Sequence, residues 1–159
     1  MMNKNEAVIE YLMNCPTIQE NPLFFNFADV ESGNNHFITE SDKTKRSYID
    51  GSVLKQYTFT IACYYAVSHN AIVGTGNFSD ENIENMAIVQ RILDWIDEQE
   101  DLHNYPDFGE NFEVDSISTL TTDPDLDGID VSVNPPIARY SVGVKINYID
   151  RTKMLWNTL

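Results

Sequence analysis

Asp123, Asp125, Asp127 and Gly128 carry the one spacing in this chain that reads as ligand chemistry. Alternate carboxylates at a turn, with a glycine for the bend, suit a hard, oxygen-seeking cation, and they match the opening of an EF-hand calcium loop. The match stops there. The twelfth position is Asn134 where a bidentate glutamate is needed, Pro124 holds the second position, and the region is not flanked by two helices. The reading is an exposed acidic loop with turn-forming Asp and Gly, and Asp123, Asp125 and Asp127 stand only as an incomplete calcium candidate.

The remaining chemistry-bearing residues form no recognised pattern. His36, His69 and His103 show no HExxH, HxH or Cys/His spacing, so no metal centre is expected. There is no GxSxG and no GxxxxGK[ST]; Gly74-Thr75-Gly76 lacks the lysine and the full glycine pattern and reads as a flexible turn before a helix. Asp107 and Glu110 are close in sequence, but with 25 acidic residues some pair of carboxylates is always at hand. Cys15 and Cys63 are far apart and form no CxxC pair. Cys63, inside an apolar run, reads as a buried free thiol, with a bridge or a reactive nucleophile as the alternatives. No catalytic residue and no cofactor is expected.

Charge bounds the partners. Twenty-five acids against ten bases give a formal net charge of -15 over 159 residues. A broad basic face for a polyphosphate backbone is excluded on that balance, so sequence-specific nucleic-acid binding is not expected. Lys43, Lys45 and Arg46 form the one basic cluster. It reads as a solvated loop or, in an assembly, as a surface for the Asp94 to Asp101 region of the next subunit, which would give a head-to-tail contact. Tyr105 and Phe108, beside Pro106, read equally as a loop packed by its own aromatics or as contact anchors.

The elements that must position these residues follow from periodicity. Asn5 to Asn14 predicts a short helix with an apolar stripe of Val8, Ile9, Leu12 and Met13, stopped by Pro16. Pro22 to Phe27 reads as extended, with a Gly33-Asn34 turn leading to a partner at His36 to Thr39. Glu40 to Arg46 reads as an exposed charged stretch. Leu54 to Ser68 is the strongest strand: Tyr57, Phe59, Ile61, Cys63, Tyr65 and Val67 share one face, and Thr58, Thr60, Ala62, Tyr64, Ala66 and Ser68 the other. Tyr64 and the small residues beside it are candidates to meet a neighbouring subunit.

After a loop at His69 to Asn77, a long helix is expected from an N-cap at Ser79 to about Asp101. Its stripe is Ile83, Met86, Ala87, Leu93 and Ile96, widened by Val89 and Ile92. Phe112 to Leu120 predicts a strand in simple alternation, Thr121 to Pro136 an acidic excursion, and Ile137 to Ile149 a last strand with Ala138, Tyr140, Val142, Val144, Ile146 and Tyr148 inward. The expected class is α+β in one domain over 1–159: a mainly antiparallel sheet, with a long helix and a short N-terminal helix packed on one side. Met1 to Cys15 does not read as a signal peptide, and no run is long and apolar enough to span a membrane.

Pro22-Leu23-Phe24-Phe25-Asn26-Phe27, Tyr105-Pro106-Asp107-Phe108-Gly109-Glu110, Pro135-Pro136-Ile137-Ala138-Arg139-Tyr140 and Asp94-Trp95-Ile96-Asp97-Glu98-Gln99 carry a family resemblance. Across nearly its whole length the chain resembles small proteins of siphophages and prophages of Gram-positive bacteria, in the tail terminator or minor tail structural class. Some relatives there bear a chloramphenicol-resistance label. The resemblance implies a non-enzymatic virion protein that forms an oligomeric, typically hexameric, ring. Such a ring caps the tail tube and joins it to the head, with itself, the tail-tube protein and the head-tail connector as partners. It implies residence in the virion tail, and in the bacterial host cytoplasm during assembly. It brings no catalytic residue. A head-closure or connector role is the alternative in the same class; a small enzyme or an acidic DNA mimic is the alternative in another.

Overall fold

A computed structural model describes residues 3–20, 23–25, 34–67 and 78–154, with backbone alone for 78–80. In chain order the elements are α1 (Lys4–Leu12), α2 (Pro16–Gln19), β1 (Leu23–Phe25), β2 (Asn35–Ser47), β3 (Val53–Ala66), α3 (Phe78–Asp101), β4 (Phe112–Thr119), β5 (Asp125–Asp130) and β6 (Ile137–Asp150). The protein is a mixed α+β fold whose open, largely antiparallel sheet runs β1-β2-β3-β6-β4, with β5 also paired to β6.

β3 and β6 form the spine, aligned antiparallel from Val53↔Asp150 to Ala66↔Ile137. Their alternation decides which face is core. Tyr57, Phe59, Ile61 and Cys63 on β3 and Ala138 to Tyr148, every second residue, on β6 are buried together with α1, α2 and α3 side chains. The opposite face holds a separate small cluster of Ala62, Tyr64 and Ile137 with Ile38, to which no described helix contributes. β6 is long enough to serve two partners along its far edge: β4 pairs with its C-terminal half and β5 with its N-terminal half.

Several expectations are corrected. β1 pairs with β2 in parallel, Leu23↔Asn35 to Phe25↔Phe37, so a hairpin through Gly33-Asn34 is not formed; parallel neighbours need a crossover, not a tight turn. Glu40 to Arg46 is not a loop but the second half of β2, paired to β3. Its side chains are exposed on an edge strand, so the apolar alternation that marks a buried strand is missing there. The acidic excursion contains β5, again exposed and therefore without an apolar signature. Pro16 does more than end α1. It opens α2 at the first helical turn, where its missing N–H costs nothing.

Two stripes shift as well. In α1 the buried residues are Ala7, Val8, Tyr11 and Leu12, while Met13 is exposed. In α3 Ile83 is 64% exposed and Ala87 is exposed too. The sheet-facing stripe begins with polar residues: Asn82 accepts from the Tyr140 hydroxyl at 2.8 Å and Asn85 donates to it at 3.4 Å, before Val89, Ile92, Leu93 and Ile96 take over. The alternation in β4 is broken by a bulge between Val114 and Ser116, which leaves Asp115 as the extra residue. Past it, Ile117 rather than Ser116 faces the core and is fully buried. α3 starts at Phe78, so Ser79 lies inside its first turn, and the loop 68–77 lies outside the described residues.

Candidate functional site

The aspartates of the calcium candidate do not converge. Asp125 and Asp127 lie on extended β5 backbone, which spreads side chains along the strand. Asp127 is engaged: it accepts from Ser141 at 3.0 Å and pairs with Arg139 at 3.4 Å. Among the described residues no group of three His, Cys, Asp or Glu side chains is placed to hold a metal ion. His36 is buried on the helix-free face of the sheet with its ring 4.7 Å from Tyr64. His103 is exposed and its Nδ1 lies 3.1 Å from the Tyr105 hydroxyl. His69 and the Gly74-Thr75-Gly76 turn fall outside the described residues.

Phe108 is a core residue, 5% exposed, with its ring edge-on to Tyr148 at 5.2 Å. Tyr105 is half-buried beside it, so the aromatics of this loop divide between packing and surface. Tyr64 is buried on the second face, where Ala62 and Ile137 surround it. The loop and α1 line an open groove of about 760 Å³, walled by Glu10, Tyr11, Asn14, Asn104, Tyr105 and Asp107 among others. Tyr11 forms its inner wall and donates to the Asn104 carbonyl at 2.8 Å. Burial, and after it Tyr105 and Glu100, push the Tyr11 phenol well above its usual range, so it is a fixed donor rather than a base.

One polar constellation was not read from sequence. Asp42, on the core-facing side of β2, accepts from the Tyr148 hydroxyl at 2.6 Å and meets Lys4 at 3.3 Å and Lys55 at 3.6 Å. Lys4 also lies over the Phe112 and Tyr148 rings, at 4.9 and 5.2 Å. Tyr57 donates to Asn5 close by. Four elements meet here, and no sequence spacing links residues 4, 42, 55 and 148. Burial, and then the Asp42 carboxylate, hold the Tyr148 phenol far above its ordinary range. The carboxylate is saturated by donors and the phenols are locked as acids. This is the chemistry of a clamp that ties α1 to the sheet, not of a nucleophile and base. Cys63 likewise is inert: burial, with a smaller effect from Cys15, pushes its thiol up to about 12, and both cysteines are free.

What the structure does present is charge in blocks. Lys43, Lys45 and Arg46 stand exposed at the far end of β2, and among the described residues none is in an ion pair. Lys4, Lys55, Arg139 and Arg151 are each paired with a carboxylate, while Arg91, Lys145 and Lys153, scattered over the chain, also stand outside these ion pairs. β1 covers the outer edge of β2 only at Asn35 to Phe37; beyond it no described strand pairs with that edge. α3 carries eight acids and one base, Arg91. Asp94, Asp97, Glu98 and Asp101 recur at the spacing of one helix face, all exposed, opposite buried Ile92, Leu93 and Ile96. Burial and then the neighbouring Asp94 and Asp101 raise the Asp97 carboxyl above its usual range. These surfaces, rather than a cleft, are the candidate site. No protein-family profile matches the chain, and no curated protein matches it either.

Proposed function

We propose that the chain is a non-enzymatic structural subunit that works by self-association, in a phage or prophage tail, as a tail terminator-like ring between tail tube and head. The observation that carries this reading is the one-sided construction of the sheet. Every described helix packs on one face, and no described helix contributes to the cluster on the other. Thr58, Thr60, Ser116, Ser118 and Ser141 lie there around the Ala62–Tyr64–Ile137 cluster, with Arg139, Lys145 and Asn147 on the same face. Small hydroxyl-bearing residues on a sheet face suit close approach by another protein surface. The family resemblance of the Pro22, Asp94, Tyr105 and Pro135 segments supplies the tail assignment. Both phenols of the clamp are held protonated and the thiols are buried, which supports a role without covalent chemistry.

The test is mass by light scattering near physiological salt, for the purified protein alone and with the tail-tube protein of the same phage. A discrete oligomer, or a complex formed only with the tube protein, is the expected result. A monomer in both mixtures overturns the terminator reading and turns the search to a head-connector partner.

A further inference from the structure

We infer that the basic end of β2 docks on the acidic face of α3 of a second copy, so that association is head-to-tail; this rests on the self-associating reading above. Two observations converge on it. Three cations within four positions, Lys43, Lys45 and Arg46, stay out of ion pairs among the described residues, in a chain where acids outnumber bases 25 to 10. A matching block of anions, Asp94, Asp97, Glu98 and Asp101, is exposed along one face of the longest helix. That block opposes the helix macrodipole, since α3 has no base in its last turn, and like charges three and four residues apart repel. A surface that costs the monomer stability is compensated when an oppositely charged surface covers it.

The two blocks cannot satisfy each other within one chain. β2 and β4 stand at opposite sides of the β3–β6 spine, and α3 packs on β4 and β6. Three interstrand steps of about 4.8 Å separate β2 from β4, and Asp94, Asp97, Glu98 and Asp101 lie on the exposed side of α3. Patches that are different and diverging make a heterologous contact, which closes into a ring or runs on as a filament. The alternative use of β2, strand addition at its open edge, is disfavoured by the edge itself. It carries bulges at Glu40 and Lys45 and a lysine-rich end, the features that block edge pairing. The contact is therefore between side chains.

A charge-swap experiment tests this by sedimentation velocity. Lys43→Glu/Lys45→Glu/Arg46→Glu and, separately, Asp94→Lys/Asp97→Lys/Glu98→Lys are each expected to lower the self-association constant at least about tenfold. Mixing the two variants restores assembly, because each then offers the other both a native and a swapped pair of patches. The α3 variant places lysines toward the helix C-terminus, where they favour the dipole, so its loss of assembly is not explained by misfolding. Raising salt from about 0.05 M to about 0.5 M, which shortens the screening length from roughly 14 Å to roughly 4 Å, weakens the wild type in the same direction. Wild-type association that both reversals leave unchanged, or variants that fail to rescue each other, overturns this contact and leaves self-association standing. A wild type monomeric at every salt and concentration, alone and with the tail-tube protein, overturns both.

Discussion

Asp42 shows how a single residue holds two layers of this protein together. Its carboxylate accepts the Tyr148 hydroxyl's hydrogen bond at one oxygen and meets the Lys4 and Lys55 ammonium groups at the other. Lys4 is the first residue of α1, which is capped by Asn3 through its side chain and the backbone N–H of Glu6 at 2.9 Å. The clamp thus sets where the helix begins on the sheet. The ion pairs are about a quarter to a third exposed and contribute little each. The Tyr148 hydrogen bond is the larger part, being short, partly buried and made to a charged acceptor. Tyr148→Phe keeps the ring contacts with Phe108 and Phe112 and removes only that bond. The expected loss is about 1–2 kcal/mol, toward the lower end for a bond to a charged group because the lysines still hold the carboxylate. Urea denaturation measures it; a change under about 0.5 kcal/mol, the scatter of neutral surface substitutions, would show that Asp42 re-pairs without cost.

At the scale of elements, what was legible in the sequence followed the water. β3 and β6 have one dry and one wetter face along their length, so residues such as Phe59 and Val144 announced themselves by period two. Where both sides of a strand are exposed, as at the end of β2 and in β5, no such contrast exists and pairing is imposed by the neighbour alone. Asp115 was unreadable for a different reason, because a bulge changes phase without changing composition. Asn82 and Asn85 hid the start of the α3 stripe, since their partner, the Tyr140 hydroxyl, is more than fifty residues away. The charged surfaces of the candidate site were visible as runs of residues, but that one sits at a strand end and the other along a helix required the fold. The β2–β3 turn is set by Gly51, whose φ of +91° an L side chain rarely adopts. A Cβ there would also collide with the Lys153 carbonyl oxygen. Gly51→Ala is expected to cost about 1–3 kcal/mol through backbone strain, and more if Lys153 cannot move. Gly128→Ala is the control: an added Cβ meets nothing within 4 Å, so its effect should stay within about 0.5 kcal/mol. Equal melting shifts for the two would refute the account of the turn.

Across the whole molecule the acids act in two opposite senses, and pH separates them. Asp97 has a raised carboxyl pKa, from burial first and from Asp94 and Asp101 after it. The folded state therefore takes that proton at higher pH than the unfolded chain does. Stability rises as pH falls through the raised value, and the gain is complete below the ordinary aspartate range near ~4. Relief of the general repulsion at a net charge of -15 adds in the same direction. Asp50 and Asp130 oppose this. Each accepts from the hydroxyl and the backbone N–H of a serine two residues on, Ser52 and Ser132, which holds its carboxyl below the usual range. Their contribution is present above the ordinary aspartate pKa and is lost as pH falls through the depressed values. The two senses do not overlap, so the melting temperature should rise as pH drops from neutrality, pass through a maximum, and fall at stronger acid. Asp97→Asn should flatten the rise and leave the acid limb in place. Scanning fluorimetry, at concentrations low enough to keep the chain monomeric, measures both limbs. A melting temperature that declines steadily from pH 7 downward would mean that the α3 carboxylates impose no strain on the monomer, and with it would go the reason for that face to seek a basic partner.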